Sequence, residues 1–196
     1  MAWKDILQAQ VDDAYRAAQG LLVLVSDAEL DWKPSAGENW MSTGQLIEHM
    51  VGSCGSMIKG FAAGEWSFPD QMPESVEGFP SVASVSEGRE KLAADKRVAL
   101  DTIADLSEQD LTDRMVQAPW AKTPYPLGHQ LSQMISHLDS HKAQLFYYLK
   151  LQGEPVLPVT DGGCRRPNRS ECAGVGETGG KRFPVFSWSR GLRRRS

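Results

Sequence analysis

The sequence predicts an all-α fold, a four-helix bundle, and three observations carry that expectation. Four segments repeat apolar residues three and four positions apart, the period of one helical face. Stretches containing proline and glycine separate those segments. The chain has 196 residues, 41% hydrophobic and 23% charged, the size and balance of one globular domain that forms a core without disulfides.

The first helix is predicted over residues 3–25, where Trp3, Ile6, Leu7, Val11, Tyr15 and Ala18 share a face. Its run Leu21-Leu22-Val23-Leu24-Val25 is the longest apolar stretch, far short of the roughly 20 residues that cross a bilayer. Ser26-Asp27 interrupts the pattern. Leu30-Asp31-Trp32-Lys33-Pro34 then forms a loop, because a proline disfavours helix at the residue before it. The second helix starts near Ser42 or Thr43, whose side chains accept otherwise unpaired amide hydrogens. Leu46, Ile47, Met50, Val51, Cys54, Met57, Ile58 and Phe61 form its stripe, and Gly64 ends it.

Residues 64–83, with Pro69, Pro73 and Pro80, form a long surface loop of a length often found in lids or linkers. The third helix is predicted over residues 86–106. Leu92, Val98/Ala99 and Ile103 face inward, and Glu87, Arg89, Glu90, Lys91, Asp95 and Lys96 form a solvated face. Residues 107–125 form an irregular connection stiffened by Pro119, Trp120 and Pro124. The fourth helix runs from Leu127 to Leu151, burying Leu131, Met134, Ile135, Leu138, Leu145, Phe146 and Leu149; Gly153 and Pro155 stop it. No internal repeat is evident.

From residue 160 onward the character changes abruptly, as an altered reading frame would change it. Gly-Gly pairs, scattered arginines and Arg193-Arg194-Arg195 show no apolar period. Such a segment buries too little surface to offset its ordering entropy. The division is therefore a bundle over residues 1–159 and a basic, disordered tail over 160–196. The tail carries nine Lys/Arg against three Asp/Glu, so the whole-chain charge of −4 leaves −10 on the body. An acidic body excludes phosphate-backbone binding by the bundle, which needs a basic face. No basic segment leads into an apolar block at the N-terminus, so a cytoplasmic protein without membrane attachment is expected. Cys54, Cys164 and Cys172 have no metal-ribbon or disulfide spacing, and Cys54 reads as a small buried thiol.

The chemistry lies in the histidines, of which there are four: His49, His129, His137 and His141. Residues four apart share a helix face, so His137 and His141 can aim two imidazoles at one point. His49, on the second helix, supplies a third if the two helices are neighbours. Three neutral imidazoles suit a divalent ion, zinc or nickel foremost, and leave a coordination position open. A pair at this spacing also arises by chance, and core histidines are commonly just hydrogen-bonded. His129 belongs to the first turn of its helix and is left out. Gln45 and Gln144, one turn from these ligands, are candidates for hydrogen bonds around the ion. Zinc peptidases place glutamate directly after the first histidine as a general base. Here Leu138 holds that position and Asp139 points about 100° away, so a peptidase is not expected. Glu48 faces away from His49 and reads as solvated. No nucleophile elbow and no phosphate-binding glycine loop occur.

The segments Leu30-Asp31-Trp32-Lys33-Pro34, Trp40-Met41-Ser42 through Gln45-Leu46-Ile47-Glu48-His49, and His137-Leu138-Asp139-Ser140-His141-Lys142-Ala143-Gln144-Leu145 together resemble the DinB-like (DinB/YfiT) superfamily. Its members are four-helix bundles proposed to be metalloenzymes. The resemblance spans residues 1–158. It implies His49, His137 and His141 as metal ligands and a homodimer. It also implies metal-dependent activity such as thiol S-transfer or hydrolysis, on a small thiol or an electrophilic small molecule. The alternative it leaves open is a noncatalytic metal-binding or stress-associated bundle. Many relatives carry Arg-Gly-Gln after the last histidine, where this chain has Lys142-Ala143-Gln144. The tail after Thr160 has no counterpart.

Overall fold

Helical periodicity becomes six α-helices among the described residues, which are 2–66, 73–158 and 164–165 of a computed structural model. They are α1 (Trp3–Leu22), α2 (Thr43–Val51), α3 (Gly55–Ala63), α4 (Val85–Asp105), α5 (Glu108–Asp113) and α6 (Leu127–Leu151). Four rods form the bundle: α1, the α2–α3 pair, α4 and α6. The α1 rod and the α2–α3 rod stand diagonally opposite each other, each packed against both α4 and α6. Their apolar stripes meet in one core that includes Leu7, Val11, Tyr15, Ile47, Met50, Ile58, Leu92, Ile103, Leu131 and Leu138. No described helix is long and apolar enough to cross a membrane. The chain divides into units Met1–Arg166 and Pro167–Ser196. The expected disordered tail lies outside the described residues except Cys164–Arg165, which pair antiparallel with Leu157–Pro158.

Helix ends follow local chemistry. Ser42 and Gln45 form a reciprocal cap at the start of α2: the Ser42 hydroxyl accepts the Gln45 amide, and the Gln45 side-chain oxygen accepts the Ser42 amide. Ser84 caps α4 through the Glu87 amide. Gly64 ends α3 at φ +74°, a conformation that glycine adopts without steric cost. The first helix stops at Leu22, short of the expected residue 25. Five successive apolar residues cannot share one face, so Val23 is left exposed while Leu24 and Val25 turn into the core. The connection over 107–125 holds a short helix, α5, that periodicity could not reveal because only Leu111 is buried in it. Its Glu108 carboxylate accepts the amides of Trp3 and Lys4, capping α1 from outside. Two short strands, Met115–Val116 and Tyr125–Pro126, close the rest of that connection.

The main departure lies in the second rod. The sequence predicts one helix to residue 64, but the backbone breaks at Gly52-Ser53-Cys54 and restarts as α3. The cause is Asp95, expected on a solvated face of α4 and found 6% exposed. Its carboxylate accepts the amides of Gly55 and Ser56, each at 2.8 Å, and the Ser56 hydroxyl at 3.0 Å. Tyr15 of α1 donates to it at 2.6 Å. A carboxylate at a helix N-terminus satisfies unpaired amides and the positive end of the helix dipole.

Such close approach requires glycine at position 55. A Cβ there would lie 2.0 Å from the Asp95 carbonyl oxygen, and the obstacle is main chain, so it cannot rotate away. We expect Gly55→Ala to cost about 1–3 kcal/mol of unfolding free energy in urea titration. Wild-type stability in that variant would contradict the packing described.

Candidate metal centre

The trio on this bundle depends first on how α2 is held. The main-chain carbonyl of Trp32 accepts the Thr43 amide at 2.8 Å and the Thr43 hydroxyl at 3.1 Å, while Leu30 O accepts the Gly44 amide at 2.8 Å. The Leu30–Trp32 segment thus satisfies the first amides of α2, which have no partner within the helix. Trp32 also packs edge-on against Tyr148 of α6, and the Tyr148 hydroxyl donates to Met41 O at 3.1 Å. These contacts lock the start of α2 against the far end of α6. Two turns along α2, His49 then faces His141.

All three expected ligands come together. One nitrogen from each of His49, His137 and His141 lies within 4.8 Å of the other two. The Nε2 atoms of His137 and His141 approach to 2.7 Å, and the His49 ring centre is 4.4 Å from that of His141 and 5.7 Å from that of His137. Tetrahedral zinc–imidazole bonds of about 2.0–2.1 Å set neighbouring nitrogens roughly 3.3–3.4 Å apart. Small ring rotations bridge that difference, so the donor set fits one divalent ion. Tautomer chemistry points the same way. The Gln144 side-chain oxygen lies 2.8 Å from His141 Nδ1 and accepts its proton. With the His141 proton at Nδ1, its Nε2 accepts a proton from His137 Nε2 at 2.7 Å, and a divalent ion would take the place of that proton between the two rings.

Burial favours the uncharged, ligand-competent rings. Desolvation, then the neighbouring His141 and His137, hold His49 down to about 4. Desolvation, then the neighbouring His141, lower His137 below its ordinary value. No described carboxylate or thiol joins the trio within metal-ligand spacing.

Other expectations fare differently. Gln144 does contact a member of the trio. Gln45 does not: beyond the Ser42 cap, its amide group donates to Val76 O and Phe79 O, tying the long loop to α2. That amide is fully used in loop contacts one turn from His49. His129 stacks on Tyr125 at 5.0 Å, away from the trio. Glu48, expected to be solvated, pairs with Lys91 of α4 at 2.7 Å, and Lys91 also holds Glu87 at 2.8 Å. Asp139 pairs with Lys142. Cys54 is fully buried, and burial pushes its thiol up to about 12, so it is an inert core group. The break in the second rod was missed, although its signal was present in Gly52-Ser53-Cys54-Gly55-Ser56, where successive small residues mark a helix interruption.

Comparison with known proteins agrees with this architecture. Residues 10–145 match the family model of the DinB superfamily. Among solved structures, the chain is similar to a DinB-like protein from Bacillus subtilis, with 17% identity and a TM-score of 0.58, covering 78% of this chain and 96% of that one. It is similar to a conserved protein from Enterococcus faecalis, with 18% identity and a TM-score of 0.60, covering 77% and 97%. A DinB-like protein from Bacillus cereus shares 15% identity at a TM-score of 0.56, covering 71% and 86%. At these identities the likeness concerns the fold. No curated protein matches the chain.

The lowered His49 value carries a pH consequence. Between about 4 and the ordinary 6.5, the unfolded chain binds more protons at residue 49 than the folded chain does. Stability of the metal-free protein therefore rises with pH across that window and is lost as pH falls through it. We expect the His49 ring, followed by NMR, to stay neutral down to about pH 4, and His49→Gln to flatten the stability slope over the same window. Titration of His49 at its ordinary value would contradict the burial described.

Proposed function

This chain belongs to the DinB superfamily, and from that premise we propose that it is a divalent-metal-dependent enzyme transferring a small thiol to an electrophile. The carrying observation is the open set of three imidazoles, His49, His137 and His141, with no anionic side chain among them. Zinc or nickel are the ions this donor set suits best. A divalent ion held there supplies Lewis acidity, which makes a thiolate or hydroxide available near neutral pH.

The side chains have separate tasks in this reading. His49, His137 and His141 present neutral nitrogens. Gln144 accepts the Nδ1 proton of His141, directing the Nε2 lone pair inward. The contacts between Trp32, Met41 and Tyr148 hold α2 and α6 at the spacing that lets two helices share one ion. In the reaction, a bond forms between the thiol sulfur and the electrophilic carbon. The leaving group departs with its bonding pair, and the thiol proton passes to solvent.

Isothermal titration with zinc and with nickel tests the binding half. We expect one ion per chain, and His137→Ala to weaken affinity by at least about 100-fold, more than loss of an outer hydrogen-bond partner costs. Gln144→Ala should weaken it by about 10-fold. Unchanged affinity in His137→Ala would remove the site. A panel of electrophiles with a small thiol tests the catalytic half, with conjugation expected to stop on chelation and return on adding metal. Bound metal without any turnover would reduce the protein to a metal-binding bundle. Conversion that consumes water and no thiol would assign hydrolysis instead.

A further inference from the structure

On α6 the two histidines belong to a longer stripe. Gln130, Met134, His137 and His141 follow one another at steps of four, three and four residues, so their side chains leave the helix within about 60° of arc. None of the four is an acid, a lysine or an arginine; Asp139 and Lys142 pair with each other on another face of the helix. Past the histidines the facing rod continues as α3, which also packs on α6. Gln130 is only 6% exposed, yet its side-chain amide has no hydrogen-bond partner among the described residues. Thr43, Ser53 and Asp95, buried as deeply, are each bonded: Thr43 to Trp32 O, Ser53 to Met50 O, and Asp95 to the start of α3. An unpaired amide in a core is destabilising, and a leucine of similar volume would pack there without that penalty.

We propose that Gln130 is a specificity-determining residue of the metal centre, binding an uncharged amide of the thiol two helical turns from the reacting sulfur. The proposal rests on the thiol-transfer reading above and names the class of thiol that site takes. Seven residues of helix separate Gln130 from His137, about 10 Å along the axis, and the thiol must span that length. A side-chain amide donates and accepts at once, which matches another amide and leaves a carboxylate only half paired. The uncharged stripe points the same way, because a charged group brought against it would lose water without gaining a counter-ion. Met134 lies between the two ends, and its unbranched side chain can turn aside for a narrow chain. The class is therefore a linear, neutral thiol carrying an amide about 10 Å from its sulfur.

Pantetheine and N-acetylcysteamine are the probes. Both present the same thiol and the same near amide, and pantetheine adds a second amide further along the chain. Thiolate-to-metal absorption of the cobalt(II)-loaded protein reads the binding of each. We expect wild type to bind pantetheine at least about 10-fold more tightly, the ratio that one net hydrogen bond supplies, and Gln130→Leu to abolish that difference. Equal affinity for the two thiols in wild type, or a preference that persists in Gln130→Leu, would overturn the proposal. A second readout needs no metal. With no partner to lose, Gln130→Leu should raise the urea midpoint of the metal-free protein; a lowered midpoint means that the amide is bonded within the fold, and it overturns the proposal as well. Failure of the functional reading looks different: wild type then binds no cobalt, or shows no thiolate absorption with either thiol, and this inference falls with it.

Discussion

The register between α2 and α6 is the constraint on which the rest depends. Two contacts define it: the Tyr148 hydroxyl on Met41 O at one end, and the His49 ring against the His141 ring at the other. Residue numbers rise along α2 as they fall along α6, so the helices run antiparallel and each turn of one meets a fixed turn of the other. A slip of one residue on either helix rotates its side chains by about 100° and removes a ring from the cluster. The Trp32 and Leu30 carbonyls fix the start of α2, and the Lys91–Glu48 pair ties the same helix to α4. None of these contacts is made by a histidine side chain, and together they set where His49 stands.

An unusual polar seam runs beneath that register. Tyr15, Asp95, Gly55 and Ser56 bond together inside a bundle whose remaining core is almost wholly apolar. A buried carboxylate is costly unless its acceptor sites are filled, and here they are filled by amides that a helix start leaves unpaired. Helix break and buried charge therefore stabilise each other. Electrostatics near the trio follow from what is absent as much as from what is present. Three neutral donors add no negative charge, so the full charge of a divalent ion would act on whatever occupies the open position.

Much of this was legible in the sequence. The α6 boundaries, the α4 start and the Gly64 stop follow from caps, glycines and apolar spacing. The histidine trio was legible because His137 and His141 share a face by arithmetic and His49 sits within a second amphipathic stripe. The break at 52–54 was harder to see, because Met50, Val51, Cys54, Ile58 and Phe61 stay buried on both sides of it. Apolar period records which residues face the core and not whether the backbone bonds are continuous. The agent of the break, Asp95, is 40 residues away in sequence from Gly55. Even so, Leu92, Asp95, Ala99 and Ile103 keep helical spacing, so position 95 lay on the buried stripe despite its charge. The role of Gln45 was misjudged for a similar reason: nearness to His49 along the helix said nothing of the loop carbonyls of Val76 and Phe79.

X-ray absorption spectroscopy of the zinc- or nickel-loaded protein tests the central claim most directly, because it reads the atoms bound to the ion. The account requires three imidazole nitrogens at about 2.0–2.1 Å for zinc, completed by a light solvent atom. A shell containing sulfur, or one in which imidazole scattering accounts for fewer than three ligands, would contradict it.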